Sequence, residues 1–333
     1  MSSWLLKTAI QRGISILPQS HRWNALLQSY VTGGLRIQQF GEFRSKVAAS
    51  QRHFDYYREY STDPQEAFTV LEVGTGWFPI IPIGLHLCGA SEIWTYDIVR
   101  LLRPDTFRII LDHYCQFARS GELRSILSAA REERVAWLVD LASAHRGLGP
   151  VEFLERLNIH AIVGDVLQSG LAGGSIDFVF SHGVLEHFPP GPLAEVFAEF
   201  RRLCGEASVM SHYIGIADQF AARDKSITPF NYLRYSARLW RWLNNPLIPQ
   251  NRLRISDYQR ACEDAAFQVV SRDDIHGLEQ DLAKIQLAPE FRSYSREDLL
   301  VLFSWLIARP LSHAPENDAP SGSCEPGYTA RAH

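Results

Sequence analysis

Short apolar runs alternate with amphipathic stretches of helical length over the middle of the chain. Phe68-Thr-Val-Leu-Glu-Val73 is a compact run of strand type that ends on Gly74-Thr75-Gly76. A second run, Ile93-Trp-Thr-Tyr96, ends on Asp97, and a third, His160-Ala-Ile-Val163, ends on Gly164-Asp165. The fourth, Ile176-Asp-Phe-Val-Phe180, ends on Ser181-His182-Gly183, and a helical pattern over residues 193–203 follows it. Strands separated by helices pair in parallel and are covered on both faces, so the pattern predicts an α/β fold of Rossmann-like type. The second and third runs stand much farther apart than one crossover helix requires. Periods over residues 123–130 and 135–144 predict a helical insertion covering about residues 100–157.

On either side of this zone the pattern changes. Up to about Pro64 it is helical: Trp4, Leu5, Ala9 and Ile10 fall at helical spacing, and so do Leu26, Leu27 and Tyr30. Gly33-Gly34 breaks the run, and a helix over residues 38–60 then carries Phe40, Phe43, Val47, Phe54 and Tyr57. Residues 1–64 thus read as an N-terminal helical extension. Its first helix, residues 4–17, is amphipathic and carries basic residues, as a membrane-surface helix does, but packing against the core is the expected role. Towards the other end, Val209-Met-Ser-His-Tyr-Ile214 is a fifth run, residues 256–266 are helical, and Phe267-Gln-Val-Val270 returns to the sheet. The main domain reaches about Arg309, and residues 310–333, rich in Pro, Ser, Gly and Ala, are expected to form a disordered tail.

Composition narrows the class of function. The chain has 333 residues, 46% of them hydrophobic and 21% charged, which is ordinary for a globular protein. A net charge of -4 gives no reason to expect a nucleic-acid partner. The five cysteines are scattered without a CxxC pair, which argues against a structural metal site or a disulfide framework and predicts a reducing, cytoplasmic setting. The apolar stretch near the N-terminus is broken by Lys7, Gln11 and Arg12, which spoils it as a signal-peptide core.

Candidate chemistry gathers at the carboxyl ends of the predicted strands. Gly74 and Gly76 lack a Cβ where a strand must turn sharply and let a ligand approach the backbone. Glu72 sets a carboxylate where a dinucleotide's pyrophosphate would meet helix N–H groups, which repels phosphate and suits a cationic ligand. Pro79 occupies the position of the dinucleotide fingerprint's third glycine. Asp97 ends the next strand, where a carboxylate accepts from both hydroxyls of an adenosine ribose, with Ile98 beside it. Asp165 suits an adenine amino group, with Val166 against the ring, and it equally suits a helix N-cap. Ser181 and His182 mark the tip of the fourth strand beside that ligand.

In this order the segments resemble the class I S-adenosylmethionine-dependent methyltransferases over about residues 68–214. The resemblance implies that Gly74, Thr75 and Gly76 approach the methionine portion of S-adenosyl-L-methionine, that Asp97 binds the ribose and that Asp165 meets adenine. One departure is Phe78, which stands where the family often has a further glycine. Gly74-Thr-Gly-Trp-Phe-Pro, Ser211-His-Tyr-Ile and Asn251-Arg-Leu-Arg-Ile-Ser-Asp-Tyr258 are similar to a bacterial branch of these enzymes linked to surface-polysaccharide and other small-molecule biosynthesis. A small-molecule or saccharide-type acceptor follows from that similarity.

Methyl transfer needs no protein nucleophile and no metal; it needs an acceptor atom aligned with the methyl group. A hydroxyl acceptor also needs a base, for which His182, His187 and His212 are the candidates, with Asp218 to orient one of them. The N-terminal helices and the insertion are the expected lid, and residues 224–234 an expected wall of the acceptor pocket. Arg252 and Arg254 could pair with an anionic acceptor or with surface carboxylates. Two other readings stay open: an NAD-dependent oxidoreductase, and a protein that binds the cofactor without transferring from it.

Overall fold

The computed structural model describes residues 40–222, 224–244 and 249–311. The expected helices before residue 40 and the expected tail from residue 312 lie outside the described residues.

Helix α1 (Phe40–Tyr60) leads into strand β1 (Thr69–Val73), whose β-branched and aliphatic residues are buried from Val70 onward. Helix α2 (Ile80–Cys88) follows, apolar on every side and buried along its whole length, and then β2 (Glu92–Asp97). Four helices fill the expected insertion: α3 (Pro104–Ser120), α4 (Glu122–Ile126), α5 (Glu132–Ala144) and α6 (Pro150–Arg156). Strand β3 (Ile159–Val163), β4 (Ile176–His182), helix α7 (Pro190–Leu203) and β5 (Cys204–Gly215) complete the alternating zone. Beyond it come α8 (Ala237–Leu243), α9 (Ile255–Asp264), β6 (Phe267–His276), α10 (Glu279–Leu282), α11 (Arg296–Leu300) and β7 (Val301–Pro310).

Among the described residues the strands form one seven-stranded sheet in the order β3-β2-β1-β4-β5-β7-β6. It is parallel from β3 to β5, while β7 runs antiparallel to both β5 and β6. The sequence pattern does not announce β7. That strand is buried along most of Val-Leu-Phe-Ser-Trp-Leu-Ile-Ala and so lacks the alternation of a half-exposed strand.

Two apolar layers enclose the sheet. On one face Phe43, Val47 and Tyr57 of α1 pack with α2, Tyr114 and Phe117 of α3, and Phe153 of α6. On the other, Leu193, Phe197 and Phe200 of α7 pack with Tyr258 and Cys262 of α9. A third cluster, around Phe230, Tyr232, Trp240 and Phe291, lies under the chain that joins β5 to β7. Because Cβ atoms alternate along a strand, every second residue of β4 and β5 faces each layer. That alternation governs which site residues can meet.

The α1–α2 contact depends on a glycine inside a helix. A Cβ on Gly84 would lie 2.3 Å from Ser50 Oγ and 2.5 Å from Ser50 Cβ. Glycine costs roughly 1 kcal/mol against alanine in a helix interior, so the close approach outweighs propensity here. Gly84→Ala is therefore expected to destabilise the fold by about 1–3 kcal/mol in denaturant melts, despite the better helix former. Adding Ser50→Gly should restore much of the loss, and a stabilised single variant would contradict this packing.

Several titratable groups are folded into the interior. Burial lowers His86 to about 4 and His182 and His212 to about 3, and it lowers His53 as well. Burial raises Glu72 and Glu186 to about 8 and Asp218 to about 6. The histidines' share of stability is complete above their unfolded value of roughly 6.5 and is lost as pH falls towards 3. The carboxyls' share is complete below their unfolded values near 4 and is lost as pH rises towards 8. Thermal melts should thus show a maximum near about pH 6.5, declining on both sides. A melting temperature that climbs steadily from pH 5 to 9 would contradict these burial effects.

Candidate functional site

The strand order turns on the β1–β4 pair, since the chain leaves β1 towards β2 on one side and reaches β4 on the other. In an open α/β sheet that reversal opens a crevice outside the carboxyl ends of the strands. A cavity of about 630 Å³ occupies it, within the range for a small-molecule or cofactor pocket. The turns after β1, β2, β3 and β4 all contribute to its wall, and α1 adds Lys46.

The β1–α2 turn closes on itself. Gly74 has φ +91° and Gly76 φ +61°, both in the region that favours glycine. Gly74 donates its N–H to the Tyr96 carbonyl at 2.7 Å, and a Cβ on Gly74 would lie 2.4 Å from Val184 Cγ2. Behind the turn, Thr75 and Thr95 are 2.5 Å apart through their hydroxyl oxygens, and Thr95 donates to Glu72 Oε2 at 2.5 Å. Glu72 lines the cavity although it is almost wholly buried. Burial holds its carboxyl up, against the opposing pull of Thr95 and of the Lys46 ammonium.

Asp97 lines the same cavity. Its Oδ2 accepts from Gly76 N–H at 2.9 Å and its Oδ1 from Val99 N–H at 3.0 Å. A carboxylate offers about four acceptor sites, so two remain. Ile98 beside it lines the cavity and is 77% exposed, a large apolar side chain without cover. Asp165 caps a 3-10 turn (Val166–Gln168), accepting from Leu167 N–H at 3.0 Å, and both Asp165 and the buried Val166 line the cavity. Capping and ligand contact are compatible here, because the cap uses one carboxyl oxygen.

The three candidate histidines separate. His182 lines the cavity, stacked on Tyr213 with ring centroids 4.6 Å apart. Its Nδ1 lies 3.4 Å from Nε2 of His53, whose Nδ1 lies 2.9 Å from Ser211 Oγ. His187 also lines the cavity, from a 3-10 turn (Leu185–His187). Its Nδ1 lies 2.8 Å from the Pro249 carbonyl, which can only accept, so Nδ1 carries the proton and Nε2 the lone pair. Burial lowers its pKa, partly opposed by that bond.

His212 does not belong with these two. It is fully buried, stacked on Phe200, with Nδ1 2.9 Å from Ser181 Oγ, and neither residue lines the cavity. Ser181 pairs with His212 across β4 and β5, and alternation turns both towards α7 while their neighbours His182 and Tyr213 face the α1 layer. Asp218 orients none of the histidines; it accepts from Phe220 N–H at 2.8 Å and Asn231 Nδ2 at 3.2 Å. None of residues 224–234 lines the cavity. Arg254 is fully buried and donates to the Ile216 carbonyl and Tyr232 Oη, and Arg252 pairs with Glu290 at 3.2 Å.

Lys46 and His53 are the site residues that the sequence reading passes over. Both fall on the apolar face of α1, in step with Phe43, Val47 and Tyr57. A charged or titratable side chain on a core-facing stripe is the signal that marks them. Among the described residues no group of three or more His, Cys, Asp or Glu side chains could hold a metal ion. No described helix is long and apolar enough to cross a membrane.

No family model and no curated protein matches the chain. Solved structures do. The PH0226 protein from Pyrococcus horikoshii OT3 is 13% identical with a TM-score of 0.44, over 85% of this chain and 95% of that one. A SAM-dependent methyltransferase from Methanosarcina mazei is 14% identical with a TM-score of 0.39, over 75% and 95%. Geranyl diphosphate C-methyltransferase from Streptomyces coelicolor A3(2), solved with S-adenosyl-L-homocysteine, is 12% identical with a TM-score of 0.41, over 79% of each chain. At such identities and scores these likenesses assign no activity; what the site can do follows from its own geometry.

Proposed function

We propose that the chain is an S-adenosyl-L-methionine-dependent methyltransferase acting on a hydroxyl of a small-molecule or saccharide-type acceptor. The observation that carries this reading is the convergence of the Gly74–Gly76 turn, Glu72 and Asp97 on one cavity at the strand reversal. The residues fit the cofactor. Asp97 keeps two acceptor sites for two vicinal hydroxyls, Ile98 and Val166 offer apolar surface to a purine, and Glu72 places a carboxyl where a cation is favoured. Bound there, the cofactor supplies an electrophilic methyl group on a sulfonium.

The same turn argues against a dinucleotide. Pyrophosphate needs free N–H groups at the start of a helix. In α2, Pro82 has no N–H, Ile80 N–H donates to the Phe78 carbonyl at 2.8 Å and Ile83 N–H to the Pro79 carbonyl at 3.3 Å. Ile81 alone of these four positions remains, and it shares the cavity wall with Glu72.

The chain's own part in the reaction is to position the acceptor and hold a proton. His187 Nε2, with its lone pair fixed by the Pro249 bond, is the base for an acceptor hydroxyl. His182, neutral because burial and Lys46 hold it near 3, orients the acceptor from the strand tip. Phe188, Pro189 and Trp77 narrow the wall around it.

Calorimetric titration with S-adenosyl-L-methionine tests the reading. Micromolar binding is expected, weakened about tenfold or more in Asp97→Ala, a loss of roughly 1.4 kcal/mol. A preference for NAD would overturn it. The pH dependence is a further test of Glu72. A nearby cation lowers a carboxyl pKa, so sulfonium binding should release a proton and tighten as pH rises from 6 to 8. Neutral-sulfur S-adenosyl-L-homocysteine should show a shallower slope, and Glu72→Gln should bring the two slopes together. Equal slopes in the wild-type protein would contradict the role given to Glu72.

The base is tested once an acceptor is found by screening saccharide and metabolite pools with labelled cofactor. His187→Asn keeps a donor for the Pro249 carbonyl and should lower kcat about a hundredfold or more with cofactor affinity unchanged. Turnover within twofold of wild type would remove His187 from that role.

A further inference from the structure

Behind the cavity wall a line of three polar groups runs from β5 through α1 to the tip of β4. Ser211, within β5, is fully buried, and so is His53 on α1. Among the described residues the Ser211 hydroxyl has one hydrogen-bond partner, His53 Nδ1 at 2.9 Å. The other nitrogen of that ring, Nε2, lies 3.4 Å from Nδ1 of His182, whose own Nε2 is left for the cavity. Packing fixes both rings. Phe180 and Trp305 lie against His53 with centroids 4.9 and 4.8 Å away, and Tyr213 stacks on His182 at 4.6 Å.

Both rings are neutral at physiological pH. Burial keeps His53 well below its ordinary value, helped by the neighbouring histidines, Arg52 and Lys46, and burial with Lys46 holds His182 near 3. Each ring thus carries one N–H and one lone pair. Nitrogens that face each other must then be a donor and an acceptor, since two lone pairs or two N–H groups would repel.

Two arrangements meet that condition. In the first, Ser211 donates to His53 Nδ1, His53 Nε2–H points at His182 Nδ1, and the proton of His182 is on Nε2. In the second, every donor becomes an acceptor: His182 donates from Nδ1 to His53, and His53 from Nδ1 to Ser211. The second arrangement leaves the Ser211 hydroxyl proton buried with no acceptor, whereas the first leaves only an idle lone pair on its oxygen. Orphaned buried donors are the rarer of the two in folded proteins.

We propose that Ser211, through His53, holds the proton of His182 on Nε2, so that His182 offers the cavity a hydrogen-bond donor. His53 is a positioning residue that acts through His182. In the reaction, and this step rests on the methyl-transfer reading, His182 grips an oxygen lone pair of the acceptor, as on a carbonyl, carboxylate or ring oxygen. It cannot take the hydroxyl proton, which leaves that part to His187.

The test is NMR of the full chain with 15N in its histidine rings, which reads the protonated nitrogen of each imidazole. The variants His53→Phe and His182→Phe assign the two rings. At neutral pH both rings of the wild-type protein are expected to carry the proton on Nε2; a proton on Nδ1 of either would overturn the proposal. In His53→Phe, His182 Nδ1 loses its donor and its resonance should move towards that of a free lone pair, and no movement would equally overturn it. Ser211→Asp replaces the donor by a group that accepts only when ionised. It should reverse the line and move both protons to Nδ1. An unchanged pattern in an Asp variant that melts cooperatively would contradict the proposal, and if that variant does not fold the wild-type spectrum still decides. No cofactor enters these spectra, so their failure leaves the methyl-transfer reading standing. Failure to bind S-adenosyl-L-methionine would overturn that reading and leave the proton line in place.

Discussion

The contact on which the site depends is the approach of the β1–α2 turn to the tip of β4. Gly74 at φ +91° directs its Cα towards Val184, and the space left for a side chain there is closed. Any other residue would meet both backbone strain and that valine. With the two strand ends held so close, Glu72, Asp97, His182 and His187 come to share one cavity. The sheet supplies the rest, because parallel strands set their carboxyl ends along one edge.

A second constraint comes from α1, which does more than cover the sheet. Its inward stripe mixes the apolar anchors Phe43, Val47 and Tyr57 with Lys46, Ser50 and His53. Ser50 fits against Gly84, Lys46 reaches the cavity wall and His53 joins Ser211 to His182. Each polar position on that stripe has a partner or a cavity to face, which is the condition under which buried polar groups persist. The helix thus links packing to chemistry in one element.

The first five strands, the glycine turn and the strand-end aspartates were legible because each rests on a local rule: apolar runs, backbone conformations that favour glycine, and carboxylates at strand ends. Strand β7 was not, since burial along most of its length erases the alternation that marks a strand. His212 and Ser181 lie away from the expected cavity for a different reason. Adjacent residues of a strand face opposite layers, so Ser181 cannot share a face with His182, and cross-strand pairing sends His212 with Ser181. Both facts were implicit in the sequence, but only a known register turns them into a location. His53 needed the α1 packing itself, which brings together residues 129 and 158 positions apart in the chain.

The central claim is that this cavity receives an adenosine-bearing cationic methyl donor, oriented by Asp97 and Glu72. Its most direct test is a crystal structure of the protein with S-adenosyl-L-homocysteine. The expected result has the ribose hydroxyls on Asp97, the purine between Ile98 and Val166, and the sulfur facing Glu72 across the Gly74–Gly76 turn. A ligand seated outside this cavity, or a ribose turned away from Asp97, would contradict it.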